Sequence, residues 1–191
     1  MRDRSCVINH FRSILDGKDN RLAYIYFDYK DAETQMVPNL LLSLVCQLAS
    51  AESPLPDELI ACYEAHDFGA SNPSQQESTQ MLRFLVNRCA NVFLIIDALD
   101  ECSEDSRDLL WMELHHVQSS MNMLITSRDL PNVENRLVNA VRLGIQPKND
   151  EIVRYARERI TNSERLQSYV RRDSGLCDFI TETVAARAEG L

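Results

Sequence analysis

The 191-residue sequence has no apolar run that approaches the roughly 18 residues of a membrane-spanning helix. Its start, Met-Arg-Asp-Arg-Ser-Cys, has no hydrophobic segment of the kind found in signal peptides. Lysine occurs three times, and the net charge is −9, so the composition lacks the basic surface that binding to a phosphate backbone requires. We therefore expect a cytoplasmic protein without a membrane partner or a direct nucleic-acid partner.

The sequence also lacks any Cys-x-x-Cys pair, although it contains six cysteines. A disulfide framework would need a secreted chain, and a zinc site would need clustered ligands. We therefore expect reduced thiols in a folded core, at Cys6, Cys46, Cys62, Cys89, Cys102 and Cys177.

Hydrophobic periodicity predicts strands that alternate with helices over most of the chain. Helical spacing of apolar residues covers 4–16, 37–49, 56–66, 78–89 and 106–117. Short apolar runs predict buried strands at 22–29, 92–96 and 121–128. A long loop is predicted at 68–76, a short helix at 133–137 and a last strand at 141–145.

This alternation predicts an α/β fold, in which helices cover both faces of a parallel sheet. Beyond Pro147 the pattern is helical only, with one helix from about residue 149 to 160 and two more within 163–189. We therefore assign residues 1–147 to an α/β domain and residues 148–191 to the start of a small helical subdomain.

An apolar strand, Val92–Ile96, leads directly into Asp97-Ala-Leu-Asp100-Glu101. Ligands of parallel α/β sheets bind at the carboxyl ends of the strands. A nucleotide-bound magnesium ion needs a rigid acidic residue, and hydrolysis needs a carboxylate that orients or deprotonates water. Asp97 suits the metal, and Glu101 or Asp100 suits catalysis. Alternatively, these acids only begin a helix, because acidic residues favour its first turn.

The next strand ends in Thr126-Ser127-Arg128, two hydroxyls and a guanidinium. Because carboxyl ends of parallel strands meet at one edge, these side chains are candidates for binding a nucleotide. Arg128 could address a γ-phosphate through its planar fork. Alternatively, Arg128 pairs with Asp129 or Glu134 at the surface.

Together, Val92–Cys102 and Leu124–Pro131 resemble the Walker B and sensor 1 segments of NACHT-type proteins, which are P-loop NTPases of the STAND class. The resemblance is especially to fungal proteins with nephrocystin-like N-terminal NACHT regions, and it extends to 22–29, 40–49 and 150–155. It implies a P-loop NTPase-like sheet that binds Mg²⁺ with ATP or GTP.

By the same resemblance, Asp97 is the magnesium aspartate, Glu101 the catalytic acid with Asp100 beside it, and Arg128 the sensor. The implied function is a nucleotide-controlled oligomerisation switch in signal transduction and innate immunity. Its implied partners are the nucleotide, other NACHT-type chains, and attached effector and repeat domains.

A P-loop has the pattern Gly-x-x-x-x-Gly-Lys-Ser/Thr, which this sequence does not contain. At its one Gly-Lys pair, Gly17-Lys18, Arg12 occupies the first glycine position and Asp19 the hydroxyl position. The resemblance implies that the chain lacks the first strand and P-loop of the domain, and we do not expect the isolated chain to hydrolyse nucleotide. The alternative is a truncated, catalytically inactive interaction module that pairs with intact NACHT proteins.

Overall fold

The computed structural model describes residues 6–15, 20–31, 35–117, 120–129, 137, 140–146, 148–173 and 175–188. The chain divides into two compact units, Met1–Arg136 and Leu137–Leu191. The sheet lies in the first unit. The domain limits at 147 and 148 stay a prediction.

Three parallel strands form the sheet, in the order β1 (Asn20–Tyr26), β2 (Asn91–Asp97) and β3 (Asn122–Ile125). β1 pairs with all of β2, and β3 pairs with residues 93–96 of β2. Successive side chains of a strand point to opposite faces, and Leu94, Ile95 and Ile96 of β2 are all buried. Both faces of the central strand are therefore covered, and the predicted α/β fold with a parallel sheet is confirmed.

The first unit has five described α-helices, each of which overlaps a predicted one: α1 (Cys6–Ile14), α2 (Val37–Ala49), α3 (Asp57–Ala65), α4 (Gln75–Arg88) and α5 (Glu104–His115). α2 and α4 pack together and supply much of the core, through Leu41, Leu44, Leu48, Leu82 and Leu85. From α1, the ring of Phe11 lies 5.8 Å from the ring of Phe93 in β2.

The side chain of Gln47 in α2 is hydrogen-bonded to the edge strand β1. Its Oε1 accepts from the Tyr24 backbone N–H at 3.0 Å, and its Nε2 donates to the Tyr24 carbonyl at 3.0 Å. Edge strands present such backbone groups without a strand partner. Gln47 therefore satisfies two of them and fastens α2 to the sheet.

The predicted loop at 68–76 is too long by two residues, because α4 begins at Gln75. Ser74 Oγ accepts from the Glu77 backbone N–H, and the Glu77 carboxylate accepts from the Ser74 backbone N–H. This capping box satisfies N–H groups that a helix start leaves without partners. The spacing Ser-x-x-Glu was the signal that could have placed the helix start.

The strand predicted at 141–145 is wrong, because these residues are neither helix nor strand. The side chains that would form its apolar face, Val141, Leu143 and Ile145, are 98%, 80% and 82% exposed. Alternating apolar residues fit a strand, but a strand also needs a neighbour to pair with. No strand of the described residues pairs with this segment. Most of the short helix predicted at 133–137 lies outside the described residues.

The second unit contains α6 (Asn149–Thr161), α7 (Glu164–Val170) and α8 (Leu176–Ala188). The three helices predicted beyond Pro147 are therefore confirmed within the described residues. α6 and α8 pack together, and Arg157 donates a hydrogen bond of 2.9 Å to Asp178. Over the described part of the chain, no helix is long and apolar enough to cross a membrane.

The five cysteines whose side chains are described are all unpaired, as predicted. Their predicted place in the core is correct for Cys102, which is buried, and wrong for Cys46, which is exposed. Cys46 lies in the strongly apolar helix α2, and hydrophobic composition alone did not show which of its faces is outermost.

We expect Leu94→Ala to lower the free energy of unfolding by about 2–5 kcal/mol, because it leaves a cavity in a strand buried on both faces. Leu94 is 1% exposed. The matched control is Leu143→Ala, the same change at an exposed position, with an expected effect within about 0.5 kcal/mol. Urea unfolding followed by the fluorescence of Trp111, the only tryptophan, measures both. If both substitutions lowered the free energy of unfolding equally, the buried, central position of β2 would be contradicted.

Candidate functional site

The polar residues that the sequence placed at the strand ends do lie at one edge of the sheet. Asp97 is the last residue of β2 and lies opposite Tyr26 of β1. The Phe27 backbone N–H donates to the Asp97 carbonyl at 3.0 Å, which continues the β1–β2 pairing by one bond. Beyond β3, the Thr126 backbone N–H donates to the Ile96 carbonyl at 2.9 Å. Thr126 therefore lies beside Asp97.

The hydroxyl of Thr126 connects these two strand ends. It donates to Asp97 Oδ1 at 2.5 Å and accepts from the Ala98 backbone N–H at 2.9 Å. The Thr126 carbonyl also accepts from the Leu99 backbone N–H at 3.0 Å. The Asp97 carboxylate is partly buried, and its orientation is fixed by this bond to Thr126.

Ala98 has left-handed backbone angles, with φ 56° and ψ 47°. For a residue other than glycine, this conformation costs of order 1–3 kcal/mol. It reverses the chain into a short 3-10 turn, Leu99–Glu101, which contains the other two acidic residues. Nothing in the sequence marks Ala98 as left-handed, because alanine, unlike glycine or asparagine, does not favour this conformation.

Asp100 and Arg128 form an ion pair. Arg128 Nε donates to Asp100 Oδ2 at 2.6 Å, and the Arg128 backbone N–H donates to Asp100 Oδ1 at 3.2 Å. The Asp100 side chain is 10% exposed and that of Arg128 is 82% exposed. The sequence offers Asp129 and Glu134 as alternative partners of Arg128. Glu134 lies outside the described residues. The ion pair seen here is with Asp100.

The ion pair shifts the pKa of both groups. Burial by itself raises the pKa of Asp100, but the hydrogen bonds and the positive charge of Arg128 outweigh burial and hold this pKa below its ordinary value. The hydrogen bond and charge of Asp100 raise the pKa of Arg128. Both groups are therefore charged at neutral pH.

Glu101 and Ser127, the remaining two candidate site residues, each make a hydrogen bond to a backbone group. Glu101 Oε2 accepts from the Tyr29 backbone N–H at 3.1 Å, which links the turn after β2 to the turn after β1. Ser127 is exposed, and its hydroxyl donates to the Arg128 carbonyl at 2.7 Å. The Tyr29 contact could not be predicted from the sequence, because its donor is a backbone N–H group, which every residue except proline has.

Asp97 is the residue of this edge that could hold a metal ion together with ligands from outside the protein. Across the described ranges, no three His, Cys, Asp or Glu residues are grouped so that they could hold a metal ion. Magnesium is usually bound by one or two carboxylates together with phosphate oxygens and water. The oriented carboxylate of Asp97 suits that arrangement.

A family model described as nephrocystin 3, N-terminal, matches residues 4–128. The chain belongs to this family. The matched residues include all three strands and extend to Arg128, so they contain every residue of the candidate site. Searches of curated proteins and of solved structures found no match. The resemblance to nephrocystin-like N-terminal regions is thus confirmed.

We expect Thr126→Val to lower the free energy of unfolding by about 1–3 kcal/mol, because the Ala98 N–H loses its acceptor and Asp97 loses its donor. Thr126→Ser keeps the hydroxyl and is the matched control, with a much smaller expected effect. Urea unfolding followed by Trp111 fluorescence compares the two variants. If Thr126→Ser is as unstable as Thr126→Val, the hydroxyl does not account for the loss of stability.

The Asp100–Arg128 pair should make stability depend on pH. Because the pKa of Asp100 in the folded chain lies below its ordinary value of 3.8, the pair stabilises the fold above that pH. This contribution is lost as the pH falls through the lowered pKa. We therefore expect the difference in unfolding free energy between wild type and Asp100→Asn to shrink on acidification below about 4.

Urea unfolding at neutral and acidic pH measures this difference. Asp105→Asn, at an exposed position in the first turn of α5, controls for the loss of one negative charge. If the difference in unfolding free energy between wild type and Asp100→Asn stays constant on acidification, the interaction with Arg128 does not stabilise the Asp100 carboxylate.

Proposed function

We propose that the α/β unit is part of a NACHT-type signalling NTPase of the P-loop class, a switch whose oligomeric state is controlled by bound nucleotide. The observation that carries this proposal is the pair of oriented strand ends. Asp97, at the end of a strand buried on both faces, accepts a hydrogen bond from Thr126. Thr126 directly follows the neighbouring strand β3 and lies two residues before Arg128. Membership of the nephrocystin 3 N-terminal family supports it.

In this proposal, Asp97 holds Mg²⁺, and Thr126, Ser127 and Arg128 bind the nucleotide, ATP or GTP. The bound ion would neutralise charge on the phosphates. Of the remaining acids, Glu101 and Asp100 are the candidates that orient water for hydrolysis. The turn at Ala98 supports these roles, because it carries both acids back to the strand ends.

The missing phosphate loop limits what this chain does alone. Glycine-rich loops bind phosphates through backbone N–H groups and a lysine, and the sequence contains no such segment. We therefore propose weak nucleotide binding, and no efficient hydrolysis, for the isolated chain. The same observation favours a second candidate function, a catalytically inactive module that pairs with intact NACHT-type chains in the cytoplasm. Effector and repeat domains would be the further partners of such a switch.

Titration of fluorescent ATP and GTP analogues into the purified chain, with magnesium or with a chelator, tests the first function. We expect binding that depends on magnesium and that Asp97→Asn weakens at least about tenfold, since loss of residues that merely orient the metal ligands already costs roughly 10–100-fold. Asp105→Asn removes an exposed carboxylate instead and should leave the affinity unchanged.

Absence of any magnesium-dependent binding at the highest analogue concentration would refute the nucleotide-binding function. The second function then has its own test, in which the chain is mixed with an intact family member that contains a P-loop and analysed by size-exclusion chromatography. Co-elution supports pairing, and separate elution refutes it.

A further inference from the structure

The two acids of the turn after β2 differ in what their oxygens contact, although they are adjacent in sequence. Both Asp100 oxygens accept hydrogen bonds from Arg128, one from the side chain and one from the backbone. Glu101 uses Oε2 for the Tyr29 backbone N–H. A group that accepts a proton from water needs an oxygen that water can reach. Asp100, 10% exposed and bonded through both oxygens, is poorly suited to that task.

Asp100 does not contact the two terminal nitrogens of Arg128, Nη1 and Nη2, so these nitrogens can bind another ligand. The hydrogen bonds use Nε and the backbone N–H, and neither uses an Nη atom. The Arg128 side chain is 82% exposed, so the outer end of the guanidinium faces solvent. A planar guanidinium held at Nε keeps its Nη groups in a fixed direction, which suits a phosphate oxygen.

We propose that Asp100 is a positioning residue, which orients the guanidinium of Arg128 toward a phosphate group at the carboxyl edge of the sheet. The proposal rests on the nucleotide-binding function above and assigns the water-orienting task to Glu101 alone. Asp100 neutralises part of the charge of Arg128, but it also removes the rotational freedom that an exposed arginine would lose on binding.

A double-mutant cycle on nucleotide affinity tests whether Asp100 acts through Arg128. Asp100→Asn keeps the shape of the side chain but has one acceptor oxygen instead of two and no negative charge, so it cannot accept from both the Nε and the backbone N–H of Arg128. Arg128→Lys keeps the positive charge but has no Nε donor and no fork. We expect each single change to weaken binding of the magnesium-nucleotide analogue on the order of tenfold, and the double variant to be little worse than either.

Two controls separate positioning from a general effect on the fold. Arg83→Lys makes the same change at an exposed position of α4 and should leave the affinity unchanged. Exchange of the Arg128 Nε–H proton, observed by NMR and assigned by its loss in Arg128→Lys, reports the ion pair without any nucleotide. It should be slow in the wild type and clearly faster in Asp100→Asn.

The outcomes distinguish this proposal from the function on which it rests. If the wild type binds nucleotide, but Asp100→Asn weakens binding as much in the Arg128→Lys variant as in the wild type, the positioning role is overturned and the function stands. Equally fast Nε–H exchange in the wild type and in Asp100→Asn overturns it as well. If the wild type binds no nucleotide, the function fails, and slow exchange would then show a purely structural ion pair.

Discussion

The hydroxyl of Thr126 donates to the Asp97 carboxylate and accepts from the Ala98 N–H, and it thereby joins the ends of β2 and β3. The left-handed backbone of Ala98 is unfavourable by itself, so its surroundings must hold it in place. Thr126 does so with its hydroxyl and, through Leu99, with its carbonyl. The direction of the following turn, and with it the position of both remaining acids, depends on this contact.

Three acids within five residues would repel one another if they shared one environment. Instead each carboxylate has its own donor: Thr126 for Asp97, Arg128 for Asp100 and the Tyr29 backbone N–H for Glu101. Two of these donors come from the segment after β3 and one from the segment after β1. The acids at and after the end of β2 therefore accept hydrogen bonds from the segments that follow both neighbouring strands, and their positions depend on the pairing of all three strands.

The sequence predicted the elements whose signals are local. The apolar run from Val92 to Ile96 identified the central strand, and the spacing of apolar residues identified the helices. It also predicted that the tips of β2 and β3 meet, because parallel strands share an edge. It failed where structure depends on a neighbour: Val141–Ile145 alternates like a strand but has no strand partner within the described residues.

The individual contacts of the site could not be predicted either. The sequence left open whether Arg128 addresses a phosphate or pairs with Asp129 or Glu134, and gave no sign of its ion pair with Asp100, 28 positions away. That distance in sequence is bridged by the register of β2 against β3 and by the reversal at Ala98. A left-handed alanine is rare enough that composition gives no warning of it.

The side chains at the carboxyl edge of the sheet contact one another, and these contacts affect the expected strength of nucleotide binding. Asp97 and Arg128 are each oriented by a neighbouring side chain, so little freedom of these two residues remains to be lost on binding. If the chain binds nucleotide weakly, the reason would then be too few contacts to the phosphates rather than disorder of Asp97 and Arg128. A phosphate loop supplies such contacts mainly through backbone N–H groups. In the function proposed above, the edge described here would supply what backbone groups cannot: a carboxylate for the metal ion and a guanidinium for the phosphate.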